Sequence, residues 1–143
     1  QAEDLAFFLT MLAPPPRQPI AADDQAKVDQ GEALFGSVGC AKCHIPTLPS
    51  SLGDVNLYSD LLLHQIMADG TPGIEDDDAS QTEFRTALLW GLSQTSPYFH
   101  TGEADTVSEA IELHNGEAAA TRDAYLALSE SDREALLLFL MSL

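Results

Sequence analysis

The stretch "GCAKCHIP", Gly39 to Pro46, decides how the rest of the chain must be organised. Two cysteines separated by two residues and followed by a histidine form the attachment signature of a covalently bound haem. In that arrangement Cys40 and Cys43 hold the porphyrin, and His44 binds the iron from one side. The sequence must then be searched for a residue on the other side. An enzyme or a gas binder leaves that position open, whereas an electron carrier fills it with a second strong ligand.

Other uses of the two cysteines fit the sequence less well. Cys40 and Cys43 are the only cysteines, and a disulfide between them would close a very short loop. Zinc would need two further ligands at suitable spacing, and a thioredoxin-type pair would need a βαβ pattern. We therefore expect one covalent haem c. Because such a haem is attached outside the cytoplasm, we also expect a periplasmic or otherwise exported protein.

The composition excludes some partners. Six basic residues face 23 acidic ones, which gives a formal charge of −17 over 143 residues. Nucleic acids and anionic membrane surfaces would repel this charge. No apolar run approaches the roughly 20 residues that a membrane-spanning helix needs. The acidic surface fits either general solvation or docking to a basic redox partner.

Two similar segments indicate the domain organisation. "EDLAFFLTML" (Glu3–Leu12) and "EALLLFLMSL" (Glu134–Leu143) both place apolar residues at helical spacing after an acidic residue. The second segment closes the chain, so the first resembles the closing helix of a preceding cytochrome domain. We expect that helix at 1–12, a proline-rich linker at 13–22 and a c-type haem domain at 23–143.

The remaining pattern predicts a mostly α fold with long irregular loops around the haem. A helix should run from Asp23 or Asp24 to Phe35, and Gly31 within it suggests that another helix crosses closely. A short helix is expected in "LYSDLLLHQIM" (57–67), and no segment has strand periodicity. The acidic run at 69–80 lacks the ligand spacing of a calcium loop, so we expect a solvated loop.

Two capping boxes predict the last helices. Thr106 and Glu109 open one helix, and Asn115 and Gly116 stop it, so that His114 ends an apolar stripe. Ser131 and Glu134 are expected to open the terminal helix. Its inward-facing residues are predicted to be Leu136, Phe139, Leu140 and Leu143.

Several residues could bind the far side of the iron. A ligand must project from an apolar wall because the haem face is buried, and His114 meets this condition best. His64 and Met67 follow an apolar run and stay open as alternatives. The less favoured candidates are His100, Tyr98 and Met11.

The stretch "FRTALLWGLSQTSPYFHTGEADTVSEAIELHNGEA" (Phe84–Ala118) resembles the C-terminal haem domain of the bacterial di-haem cytochrome c peroxidase superfamily. It is especially similar to the di-haem thiol oxidoreductase branch, which also has counterparts of "LAPPPR", "GEALFGSVGCAKCHIPTL", "LYSDLLLH" and "RDAYLALSESDREALLLFLMSL". The resemblance covers nearly the whole chain. One departure is Ala87, which stands where a proline usually follows "FRT", and it puts the local loop geometry in question.

The resemblance implies an axial pair. In the superfamily the second ligand of this haem follows a helix that starts like "T-L-E-E-A"; it is a methionine in the peroxidases and a tyrosine in a methylamine-pathway relative. The matching position here is His114, so His44 and His114 would bind the iron together. The family counterpart of Arg85 implies that it pairs with a haem propionate. Pro46 resembles the proline that follows the attachment motif in c-type cytochromes, whose neighbourhood orients the proximal imidazole. We expect Trp90 and Tyr98 to pack near the haem or the missing preceding domain, and His100 to act as a hydrogen-bonding neighbour.

These residues predict a single-electron carrier with a six-coordinate haem. By analogy with the relatives, the chain would be the electron-transfer part of a di-haem oxidoreductase, with another haem domain or redox protein as its partner. The alternative is a haem peroxidase or thiol oxidoreductase whose distal ligand is displaced on activation. A third possibility is an acidic docking module in which the haem is chiefly structural.

Overall fold

The computed structural model describes residues 1–68 and 73–143, and these form a helical domain with two small sheets. Residues 69–72, the start of the predicted acidic loop, lie outside the described part. The helices are α1 (Ala2–Met11), α2 (Gln25–Val38), α3 (Val107–Leu113), α4 (Ala119–Leu126) and α5 (Glu130–Met141). The strands are β1 (Leu48–Ser50), β2 (Gly53–Val55), β3 (Leu63–Gln65) and β4 (Glu83–Arg85). Short 3₁₀ turns lie at Ala22–Asp24, Cys40–Lys42, Leu92–Gln94 and Gly116–Ala118.

The core forms where α2 packs against α5. A Cβ atom at Gly31 would run into the main-chain carbonyl of Ala135 and the side chain of Phe139, so only glycine permits this approach. This confirms the close helix crossing predicted from Gly31. Each large apolar side chain buried here contributes roughly 1.5–3 kcal/mol relative to exposure. The predicted inward face of α5 is also confirmed, since Leu136, Phe139, Leu140 and Leu143 are all buried.

Helix α1 has the same apolar spacing as α5 but packs differently. None of its residues is buried, and Leu5, Phe8 and Leu9 each expose more than half of their surface. The chain then continues without regular structure to Ala21. Within the described residues, no helix combines the length and hydropathy that crossing a bilayer requires.

Three predictions about local structure are wrong. The expected helix at 57–67 is absent, because Tyr58 and Leu61 have positive φ values of 52° and 62° that a right-handed helix cannot include. Residues 63–65 instead form β3, which pairs antiparallel with β4, while β1 pairs with β2, so the expected lack of strands is also wrong. Helix α5 is capped by Ser129, whose side chain accepts from the Asp132 amide, and not by Ser131.

Candidate haem site

One cavity of about 330 Å³ brings together the attachment motif and the end of α3. Its wall includes Cys40, Cys43 and His44 from the motif and His114 from the other end of the sequence. The remaining lining is mostly apolar, as a buried prosthetic group requires. Residues separated by 70 positions are therefore assembled at one site.

The attachment motif forms a tight turn after α2. Gly39, with φ of 109°, ends the helix in the left-handed conformation, and the amide of His44 donates to the carbonyl of Cys40 (3.0 Å). Burial raises the pKa of the Cys40 thiol to about 11 and also raises the pKa of Cys43. Both shifts disfavour the thiolate, which is the reactive form in disulfide exchange.

His44 is held in one tautomer. Its Nδ1 lies 2.9 Å from the main-chain oxygen of Tyr58, and because a carbonyl only accepts, Nδ1 carries the proton. Burial lowers the pKa of His44 to about 4, so the imidazole is neutral and Nε2 keeps its lone pair. Pro46 does not contact the His44 ring nitrogen itself, but its carbonyl accepts from the amide of Tyr58 (3.3 Å), the residue whose carbonyl holds that ring.

His114 is held in the same way on the other part of the wall. The predicted capping box of Thr106 and Glu109 is confirmed and starts α3, which ends at Leu113, so His114 is the C-cap residue. Its Nδ1 donates to the carbonyl of Ala110 (2.7 Å). Burial lowers the pKa of His114 as well. Its Nε2 is therefore a neutral nitrogen with an available lone pair.

His64 lines the same cavity but is held differently. Its Nε2 lies 2.9 Å from a carboxylate oxygen of Asp60, and its Nδ1 lies 3.0 Å from one of Glu117. The hydrogen bonds to Glu117 and Asp60 raise the pKa of His64. A carboxylate only accepts, so both ring nitrogens carry protons and neither offers a lone pair to a metal. The Cys43 sulfur, an Asp60 carboxylate oxygen and a His64 ring nitrogen lie within 4.8 Å of one another.

The other candidates for the far side of the iron lie in several environments. Met67 is buried but is not among the cavity-lining residues that the structure describes, and Met11 is exposed on α1. The Tyr98 hydroxyl donates to the carbonyl of Leu92 (2.5 Å). His100 lines the cavity with its ring stacked on Phe84 at 4.6 Å, and burial lowers its pKa.

Arg85 and Trp90 are not among the cavity-lining residues in the part of the chain that the structure describes. Arg85 is exposed on β4, and its pairing with a propionate stays a prediction. The indole of Trp90 donates to the carbonyl of Asn56.

Sequence reasoning missed four residues of the site. Tyr58 supplies the carbonyl that fixes His44, and Phe99 packs its ring edge-on to His114 at 5.3 Å. Arg122 donates to the main-chain carbonyl of His114 (3.2 Å), and both Arg122 and Lys42 line the cavity. The scarcity of basic residues was the one signal that could have drawn attention to Arg122 and Lys42.

Comparison with known proteins agrees with this geometry. The family model described as "Di-haem oxidoreductase, putative peroxidase" matches residues 1–143. No curated protein matches the chain. The match confirms the resemblance seen in the sequence motifs, and the family implies a haem cofactor. The chain belongs to the di-haem oxidoreductase family.

Proposed function

We propose that this chain is a c-type cytochrome domain that carries single electrons, with His44 and His114 as the two iron ligands. One observation carries the proposal. Both half-buried imidazoles give their Nδ1 proton to a main-chain carbonyl, so two Nε2 atoms with lone pairs are available within one cavity. Burial also disfavours protonation of either ring, which keeps both in the form that binds metal.

The residues present fit a covalently bound haem. Cys40 and Cys43 would form the two thioether bonds, and the apolar wall would exclude water. Haem bound there would supply a one-electron iron couple whose potential depends on its ligands and its burial. The carbonyls of Tyr58 and Ala110 orient the two rings and increase the basicity of the ligating nitrogens. If His44 and His114 both bound the iron, no position would be left there for a substrate.

Arg122 and Lys42 are the cations that geometry favours for the haem carboxylates. Both line the cavity, and the guanidinium of Arg122 also donates to the carbonyl of His114. A planar guanidinium is well suited to a carboxylate. Arg85, the residue that the family resemblance suggests, is exposed and would have to reach the haem edge from β4.

The partner of this domain is proposed to be a second haem domain or a redox protein with a basic docking surface, in the periplasm or another exported space. The family is di-haem, while the sequence holds a single C-x-x-C-H motif. Helix α1 repeats the pattern of α5 and exposes its apolar residues, as the end of a preceding domain would. The intact mass of the native polypeptide would show whether a second haem domain lies upstream.

The alternative is a peroxidase or thiol oxidoreductase with a displaceable distal ligand. The family description names peroxidase, and His100 lies on the cavity wall, where its imidazole would donate or accept a proton. In this alternative His114 would leave the iron on activation. The alternative predicts that an added ligand can reach the metal.

Optical spectra of the haem-loaded protein separate the two functions. The carrier predicts low-spin bands in both oxidation states that do not change when peroxide or cyanide is added. A high-spin spectrum, or a low-spin spectrum that shifts with cyanide after reduction and reoxidation, would favour the enzyme. Denatured protein with haem still attached serves as the control that the thioether bonds have formed.

A further inference from the structure

A tyrosine and an arginine outside the cavity connect the proline-rich linker to His44. Tyr58 is only 4% exposed, and its main chain has a positive φ of 52° although it is not glycine. Such a conformation is strained for a residue with a side chain and persists only when its surroundings hold it. Two sets of contacts hold Tyr58, one through its main chain and one through its side chain.

The main chain around Tyr58 is fixed to the attachment loop. The Tyr58 carbonyl accepts from Nδ1 of His44 at 2.9 Å. The Tyr58 amide donates to Pro46 at 3.3 Å, and the amide of Ser59 donates to Ile45 at 3.0 Å. A small rotation of the main chain at Tyr58 would therefore change the hydrogen bond that orients the His44 ring.

The side chain of Tyr58 is anchored by Arg17. The Tyr58 ring packs edge-on against Phe35 at 5.8 Å and Phe139 at 6.1 Å. The guanidinium of Arg17 donates to the Tyr58 hydroxyl and lies over the rings of Tyr58 and Phe139, 5.8 Å and 5.4 Å from their centroids. These contacts satisfy a buried hydroxyl and add cation–π attraction.

Arg17 itself belongs to the linker and is held at the end of α5. The amide of the next residue, Gln18, donates to the carbonyl of Ser142 at 2.8 Å. The ion pair of Arg17 with Glu32 is longer, at 3.4 Å, and about half exposed, so it contributes little. The aromatic contacts and the Tyr58 hydroxyl therefore determine where Arg17 lies.

We propose that Arg17 and Tyr58 are positioning residues for His44, and that through them the linker sets the reduction potential of the iron. The inference rests on the proposed function in one respect, that His44 binds the iron. A stronger hydrogen bond from Nδ1 makes the imidazole a better electron donor and favours the oxidised state. A variant that lets the main chain at Tyr58 move would weaken the hydrogen bond from His44 Nδ1 and so raise the reduction potential of the iron.

The test compares two buried tyrosines in the haem-loaded protein. Tyr58→Phe removes the hydroxyl that Arg17 binds, and Tyr125→Phe is the matched control. Tyr125 is 1% exposed, and its hydroxyl pairs with Ser108 on α3 at 2.9 Å, so it lacks the hydrogen bond to Arg17 that Tyr58 has. Both variants should lose some stability. Only Tyr58→Phe should raise the midpoint potential and move the paramagnetically shifted NMR signals of the His44 ring.

A second variant keeps the proposal testable if Tyr58→Phe folds poorly. Arg17→Gln should move the His44 ring signals in the same direction, and it should have little further effect on them in the Tyr58→Phe background. Lys27→Gln, which removes an exposed ion pair to Glu134, is its control. NMR is the readout for this pair, because the loss of a positive charge also acts on the potential directly.

The possible results separate this inference from the proposed function. If the wild-type spectrum is low-spin and Tyr58→Phe leaves both the potential and the His44 signals unchanged, the positioning role is wrong and the carrier function stands. Equal potential shifts in Tyr58→Phe and Tyr125→Phe would also overturn the positioning role. A wild-type protein in which His44 does not bind iron would overturn both.

Discussion

His114 and His64 line the same cavity and are held in opposite ways. His114 donates one proton to a main-chain carbonyl and keeps a neutral nitrogen with a free lone pair. His64 is bound on both nitrogens by carboxylates, which raise its pKa and favour the imidazolium. Whether a histidine can bind a metal therefore depends on the hydrogen-bond partner of its other ring nitrogen.

The largest effect is expected from removing each imidazole in turn. His114→Ala should convert the haem from low spin to high spin while the covalent attachment survives, because one axial ligand is lost. His64→Ala should leave the iron low-spin. Absorption and EPR spectra of the two purified variants provide the measurement. A high-spin His64→Ala beside a low-spin His114→Ala would reverse the assignment.

Gly116 connects the two histidine environments and should be the next most sensitive position. It has a φ of 52°, and an added Cβ would run into the carbonyl of Gln65. Gly116→Ala should therefore cost about 1–2 kcal/mol for the left-handed conformation and about 1–3 kcal/mol more for the forced separation. Gly91→Ala, with φ of 64° and open space around it, should show only the first cost. If denaturant unfolding showed equal losses of stability for Gly116→Ala and Gly91→Ala, the close approach of Gly116 to the Gln65 carbonyl would be wrong.

Asp60 should matter more than Glu117 for holding His64. The side chain of Asp60 is 7% exposed and that of Glu117 is 55% exposed. Asp60→Asn should lower the free energy of unfolding by about 1–3 kcal/mol, because a buried charged hydrogen bond is lost. Glu117→Gln should have a smaller effect that salt reduces further. A larger loss for Glu117→Gln would mean that the exposed contact dominates.

The smallest effect is a pH dependence of stability. Contacts with Glu117 and Asp60 raise the pKa of His64 above its ordinary value of 6.5. The folded protein therefore holds this proton more tightly than the unfolded chain does. The resulting stability is complete below about pH 6.5 and is lost as the pH rises through the folded pKa. The difference in unfolding free energy between wild type and His64→Gln should shrink over that rise, and a constant difference would argue against the charged state.

The parts of the fold that follow local rules were predictable from the sequence. The capping box at Thr106 and the close crossing at Gly31 depend on residues near one another or on one glycine. The start of α5 was predicted wrongly, since Ser129 and Ser131 both have a cap-like acidic residue three positions later. Because both serines match the capping pattern, the sequence alone does not determine which of them begins the helix.

The parts that depend on long-range contacts were not predictable. Leu61, Leu62 and Leu63 read as an apolar helical run, yet β3 forms because its main chain pairs with β4 across a loop. The choice of Tyr58 as the partner of His44 depends on a positive φ that nothing in its sequence signals. Similarly, Asp60 lies only four residues before His64, but Glu117, which holds the other ring nitrogen, lies 53 residues away, so sequence alone left His64 open as a ligand.

Near-infrared magnetic circular dichroism of the oxidised, haem-loaded protein would show whether two neutral imidazoles bind the iron, as we propose. The ligand-to-metal charge-transfer band differs between bis-histidine, histidine–methionine and histidine–water haems. We predict the bis-histidine band, lost in His114→Ala and kept in His64→Ala. A histidine–methionine band, or a high-spin signal from the wild type, would exclude His114 as the second ligand.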